Sequence, residues 1–295
     1  MWMMGHLYES GIGVKRDFKA ARSWYEKAAA TGEPDGMMSL GIDLMRGNQQ
    51  DARKGFEWLE RAANTTNANA VAELGYAYYK GIYWQRSDKT KGLQLLEQAK
   101  LNGSGRAHLY LGYIRSDPKS THLNYVQARL DFEEAALRGY EAGLLWHGNL
   151  LWRGQGGPED KVTATKLYER GAIKGNLVCM HNLATSYSSE LNSPIKAAEW
   201  YKRAGDRGFY ESYQALSLLY LEGKLGSGRN ADGIRYMRLA HENGVIEATF
   251  LLGTYYEFGK YGLKQDLGEA REFYFKAADA GNEDAKTALK RLQNP

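Results

Sequence analysis

Cysteine and histidine are the side chains best equipped for nucleophilic or metal chemistry, and the chain has one cysteine and six histidines among its 295 residues. Cys179 and His181 are its one close Cys/His pair. Two residues apart on a helix, they project about 200° apart around the axis, so thiol and imidazole face different directions and make no catalytic pair. Cys179 takes a position filled by Ala70, Ala107 and Ala248 in other copies of a repeat, which assigns it to packing. His6, His108, His122, His147 and His241 lack the spacing of two ligands on one helical turn, so no metal ligands are assigned. Gly103-Ser104-Gly105 and Gly226-Ser227-Gly228 have neither the lysine nor the strand-turn-helix setting of a phosphate-binding loop. Glu133-Glu134 sit on an expected helix, where a solvated face accounts for them. No nucleophile, base and orienting group converge. The chain therefore reads as a non-enzyme with no catalytic residues and no cofactor.

The elements carrying these residues recur. One copy runs Leu252-Gly253-Thr254-Tyr255-Tyr256-Glu257-Phe258-Gly259, then Asp266, Glu269-Ala270, Phe273-Tyr274, Ala277-Ala278 and Gly281. Its small anchor residue returns as Gly5, Gly41, Gly75, Gly112, Gly148, Ala184, Ser217 and Gly253, at steps of 33 to 37 residues. Around each anchor, apolar and small residues at i, i+4, i+5 and i+8 line one face of a first helix. Asp17, Asp51, Asp88, Asn124, Asp160, Ser193 and Asp266 are then placed to cap a second helix. That helix ends at Gly32, Gly103, Gly139, Gly175, Gly208, Gly244 and Gly281, with Thr66 the exception. Trp24, Tyr25, Trp200, Tyr201, Phe273 and Tyr274 are expected to be buried between repeats. One helical hairpin cannot bury two apolar stripes, so hairpins must stack.

These residues resemble the Sel-1-like repeat (SLR) family, a longer-turned relative of the tetratricopeptide repeat. Its motif is Ala-x3-Leu-Gly-x2-Tyr-x2-Gly-x-Gly-Val-x2-Asp, followed by Ala-x2-Trp-Tyr-x2-Ala-Ala-x2-Gly. Gly5 to Gly32 matches the second part closely, including Val14 and Asp17, and the resemblance covers the whole chain. It implies an all-α fold, an α/α solenoid forming a right-handed superhelix of about eight Sel-1-like helical hairpins, as one domain over 1–295. A polar-sided helix over 285–293 would cap its C-terminal end. Relatives of this kind act as adaptors, host-interaction factors, and partners or inhibitors of other proteins, so the family implies binding and names no partner.

Composition agrees with such an array. Mean hydropathy is −0.58, and no apolar run approaches the 18 residues of a membrane span. The net charge of +4 comes from 39 basic residues scattered among 35 acidic ones, which argues against nucleic acid. A single cysteine excludes an intramolecular disulfide framework. Met1-Trp2-Met3-Met4-Gly5 has no signal-peptide pattern, which gives a cytoplasmic default; a preceding segment would open periplasmic or secreted locations. The N-terminal edge, Met1 to Met4, is expected to be covered by such a segment or by another chain.

By analogy with tetratricopeptide arrays, the first helix of each hairpin lines a groove at three residues before, one after and four after the anchor. The resulting set includes Trp2, His6 and Glu9, then Met38, Ile42 and Met45, and is unusually apolar for exposed positions. Tyr76, Tyr79, Tyr113 and Trp152 are expected to form an aromatic ladder for a partner protein or peptide, with Asn149 beside it. Packing of those side chains between repeats is the alternative. Arg46, Lys80 and Arg153 either rim the groove to meet acidic groups or are ordinary solvated cations. Trp84, with Tyr83, marks the third turn as the best loop contact. The function expected is a non-enzymatic scaffold or adaptor; the alternative is a dedicated inhibitor, an immunity protein blocking a bacterial toxin or effector enzyme.

Overall fold

The computed structural model describes residues 1–81 and 87–293, and every regular element among them is an α-helix. The fold is an all-α solenoid of stacked helical hairpins. The chain divides into two compact units, 1–159 and 160–295. The first holds α1 (Trp2–Ser10), α2 (Phe18–Ala30), α3 (Pro34–Met45), α4 (Gln49–Ala63), α5 (Ala68–Lys80), α6 (Lys89–Leu101), α7 (Gly105–Ser116), α8 (Tyr125–Leu137) and α9 (Glu141–Trp152). The second holds α10 (Lys161–Ile173), α11 (Leu177–Ser189), α12 (Pro194–Asp206), α13 (Glu211–Leu221), α14 (Asn230–Glu242), α15 (Ile246–Phe258), α16 (Leu267–Asp279) and α17 (Glu283–Gln293).

Local chemistry sets the boundaries. Asp17, Asp88, Asn124, Asp160 and Asp266 each accept hydrogen bonds from amides of the first turn they cap. Asp51 is a correction: the cap of α4 is Asn48, whose Oδ1 accepts from Gln50 N and Asp51 N, while its Nδ2 donates to Asp51 Oδ2 at 2.9 Å. Ser193 holds the cap position of α12 without a side-chain cap bond, and Pro194 follows it at the first helical position. The seven glycine stops have φ between 81° and 104°. Thr66 stands in the same left-handed conformation at φ 67°, where a β-branched side chain is strained.

Within several hairpins the anchor glycine is a socket for a ring of the second helix. A Cβ on Gly5, Gly112 or Gly253 would come within 2.5, 2.6 or 2.7 Å of Tyr25, Phe132 or Tyr274. At Gly41 and Gly75 the facing residue is itself glycine, and a Cβ would meet the Gly55 or Gly92 carbonyl at 2.8 or 3.0 Å. Of the expected aromatic pairs, Tyr25, Tyr201 and Tyr274 are buried at 2%, 5% and 1% exposure. Their neighbours Trp24, Trp200 and Phe273 are only half-buried. Each lies under a cation three residues on, Lys27, Arg203 or Lys276, whose charge sits 4.6, 5.1 or 5.5 Å from the ring centroid.

Two charged clusters sit inside the stack. Asp131 on α8 is 0% exposed. Its Oδ1 accepts from Lys100 Nζ at 2.8 Å and lies 3.3 Å from His108 Nδ1, and its Oδ2 accepts from Arg115 Nη1 at 2.5 Å. Burial alone would raise this carboxyl, but hydrogen bonds from His108, Lys100 and Arg115 hold it below the usual aspartate range. Arg115 also reaches Glu97. In the second unit, Glu257 is 6% exposed and accepts from Tyr274 Oη at 2.6 Å and from Arg291 Nη2 at 2.5 and 2.6 Å. These bonds fasten α17, which buries Ala285 and Ala288 alongside α16.

Candidate functional site

The first unit contains a groove of about 390 Å³, within the range of ligand-binding clefts. It is built mainly from α1, α3, α5 and α7, the first helices of four successive hairpins. Because these helices stack in parallel order, equivalent positions fall side by side. Met38, Ile42 and Leu109 give an apolar floor, and Trp2, Tyr110 and Tyr140 give aromatic walls. The Trp2 indole donates to Ser39 Oγ at 2.8 Å and its ring stacks on His6.

Charge enters the groove in two triads. Glu9 accepts from Tyr25 Oη at 2.7 Å on one oxygen and from Arg46 Nη1 at 3.1 Å on the other. Glu73 accepts from Tyr110 Oη at 2.6 Å and is paired with Arg106. Burial pushes the Tyr110 hydroxyl well above the usual tyrosine range, reinforced by the Glu73 charge, so it remains a donor. Burial would weaken the Arg106 charge, but Glu73 outweighs it and holds the guanidinium protonated. Tyr25 is likewise raised by burial and by its bond to Glu9.

The residues expected at the groove separate into several environments. Trp2, His6, Glu9, Met38, Ile42, Leu109 and the rim cation Arg46 do line it. Tyr76 is half-buried and stacks on Tyr110 with ring centroids 4.1 Å apart. Tyr79 is a correction: it is 8% exposed, with its hydroxyl 3.3 Å from Ser120 Oγ and Lys89 Nζ 5.7 Å from its ring. Met45 is another, since it is half-buried in the core of α3 and α4, against Gly55, and does not line the groove. Tyr113 packs edge-on against Phe132 and Trp146, both 5.6 Å away. The described rings of Tyr76, Tyr79 and Tyr113 thus have separate partners and do not form one exposed ladder. Asn149 and Trp152 are half-buried on α9, and Lys80 and Arg153 are exposed at the ends of α5 and α9. Trp84 and the rest of its loop lie outside the described residues.

Sequence reasoning missed the position two before the anchor, which brings Ser39, Glu73 and Tyr110 to the groove, and it missed Arg106. No sequence signal marked them, because Glu73 and Arg106 lie outside both the apolar stripe and the groove positions, where a charged residue reads as solvated. Among the described residues no group of three or more His, Cys, Asp or Glu side chains is placed to hold a metal. Cys179 is buried, and His181 Nδ1 lies 2.9 Å from Ser212 Oγ. No helix among them is long and apolar enough to cross a membrane.

Comparison with known proteins follows this architecture. The Sel1 repeat profile matches residues 1–32, 34–64, 68–104, 142–176, 178–209 and 246–282. The hairpins α7–α8 and α13–α14 fall outside the matched segments. Chitin synthase regulatory factor 3 of Schizosaccharomyces pombe is 24% identical over 98% of this chain and 28% of its own length. The mouse (Mus musculus) DAP3-binding cell death enhancer 1 is 33% identical over 58% of this chain and 34% of its own length. The chain therefore spans about a third or less of these relatives. Among solved structures, a protective antigen present in uropathogenic Escherichia coli strains, described as displaying an SLR fold, is similar at a TM-score of 0.66 and 24% identity, over 99% of this chain and 71% of that one. Repeats of this type are generally protein-interaction scaffolds.

Proposed function

The chain belongs to the Sel1 repeat family, and we propose that it is a non-enzymatic protein-binding scaffold whose first unit holds a segment of a partner protein in the groove floored by Met38, Ile42 and Leu109. The observation that carries this reading is the groove itself. Four successive hairpins converge on an apolar floor with aromatic walls, the side-chain types that supply contact area and anchors in protein interfaces. Two similar proteins bear names consistent with it, a regulatory factor and a DAP3-binding protein. Tyr76 joins the site through its stack on Tyr110. Lys80, Tyr113, Asn149, Trp152 and Arg153 are carried into the proposal as contacts outside the groove, and the continuity of one array over 1–295 is part of it.

The test uses the full chain to retain partner proteins from its native source, beside Ile42→Gln and Trp2→Ala. Both residues are half-buried groove positions, and thermal unfolding checks that each variant folds. The expected result is one or more proteins held by the native chain and lost, by about tenfold or more, by either variant. Partners unaffected by both substitutions refute the groove, and no retained protein refutes the scaffold.

A further inference from the structure

The charge a ligand would meet in the groove is not balanced, although its lining holds two arginines and two glutamates. The Glu73 side chain is 12% exposed and already takes a guanidinium and a tyrosine hydroxyl. Glu9 is 31% exposed, and each of its oxygens has a donor. A ligand cation would meet carboxylates that are less exposed than Arg46 and would compete there with Arg46 or Arg106. Arg46 is the opposite case: 64% of its side chain is exposed, and it meets Glu9 through Nη1. A guanidinium carries five N–H donors in a planar fork, so most of its donor capacity stays accessible to a second acceptor. A carboxylate is the acceptor whose geometry fits that fork bidentately.

We propose that the groove takes an acidic peptide segment, with a large apolar side chain seated over Met38, Ile42 and Leu109 and an Asp or Glu paired with Arg46. The proposal rests on the scaffold reading and adds the chemistry of the occupant. The apolar anchor supplies burial against the floor. The carboxylate fixes direction along the groove, since Arg46 is the most exposed of its ion-paired charges. Replacing Arg46 leaves Glu9 with its Tyr25 bond, so its removal strands no buried charge.

The probe is a phage-displayed pool of random twelve-residue peptides selected on the full chain. The most enriched sequence is then synthesised, together with a version in which every Asp and Glu is replaced by its amide. Both are titrated by fluorescence anisotropy against the native chain, Arg46→Gln and Ile42→Gln. The expected outcome is enrichment of an acidic residue beside a large apolar one. Amidation should weaken binding about tenfold, Arg46→Gln should do the same for the acidic peptide and nothing further for the amidated one, and Ile42→Gln should weaken both. Enriched peptides without acids, or acidic peptides indifferent to Arg46→Gln, overturn the acidic occupant and leave the groove standing if Ile42→Gln still weakens them. Binding that survives Ile42→Gln overturns the groove. A pool that yields no enrichment overturns the peptide proposal.

Discussion

Replacing Asp131 by Asn should destabilise the first unit by about 3 kcal/mol, near the lower end of the range for breaking a buried ion pair from one side. The carboxylate is wholly buried and holds Lys100, Arg115 and His108, whose side chains are 23%, 18% and 8% exposed. Each hydrogen bond to a charged group contributes roughly 1.5–3 kcal/mol, so losing all three without relief would cost about 4.5–9 kcal/mol. Relief exists, because Arg115 keeps Glu97 and Lys100 has access to water. Stacked repeats open piecemeal, so a global melting curve blurs the effect. Hydrogen exchange of the α6, α7 and α8 amides is the suitable assay, with α1 to α3 as internal control. The folded carboxyl lies below its unfolded value of about 3.9, so its contribution is complete above that pH and is lost as pH falls through the folded value. The native protein should therefore lose protection in α6 to α8 under acid, and the Asn variant should lack that step. A variant costing less than about 1 kcal/mol, or retaining the acid step, would refute the assignment of the network as the cement of this hairpin.

Thr66→Gly should stabilise the protein by about 0.5–1 kcal/mol in denaturant unfolding, since glycine adopts φ 67° without a Cβ penalty; destabilisation would show that the exposed Thr66 side chain has a role. Gly253→Ala should cost about 1–3 kcal/mol, because the added Cβ meets the Tyr274 ring at 2.7 Å and that ring is buried; an unchanged midpoint would contradict the socket. Arg291→Ala should leave Glu257 with Tyr274 alone among its side-chain donors and speed hydrogen exchange in α17 well before α15, whereas uniform exchange would show that apolar packing alone holds the terminal helix.

What the sequence made legible was local. The stripes, the glycine stops and most caps depend on residues within four positions of each other, and they formed where the period placed them. Asp51 was misread because Asn48 and Asp51 are both capping types three residues apart, and a reciprocal bond between them decides which one caps. Tyr79 is buried in a cluster with residues of α6 and α7 and reaches Ser120, 41 residues away, contacts that its place in the repeat does not reveal. Asp131 stands where other hairpins carry an aromatic residue or leucine, and alone it reads as a solvated acid; its partners lie 31, 23 and 16 residues away. In the groove the floor was legible once the repeat period was combined with the groove positions of tetratricopeptide arrays. The triad of Glu73, Tyr110 and Arg106 was not, because its members sit at offsets that an analogy with another repeat family leaves out.

The ring-in-socket packing of Gly5 with Tyr25 is complete inside one hairpin. A hairpin of that kind can be copied, excised or moved along a gene and bring its own fit with it. The α7–α8 hairpin cannot travel so freely, because the carboxylate on α8 takes one of its cations, Lys100, from α6 in the hairpin before it. Duplicated elsewhere it would keep Arg115 and His108 on its buried carboxylate but lose Lys100, and deleted alone it would leave Lys100 without its partner. Lineages that gain or lose repeats should therefore keep these two hairpins as neighbours in fixed order, while hairpins built only on sockets vary in number around them.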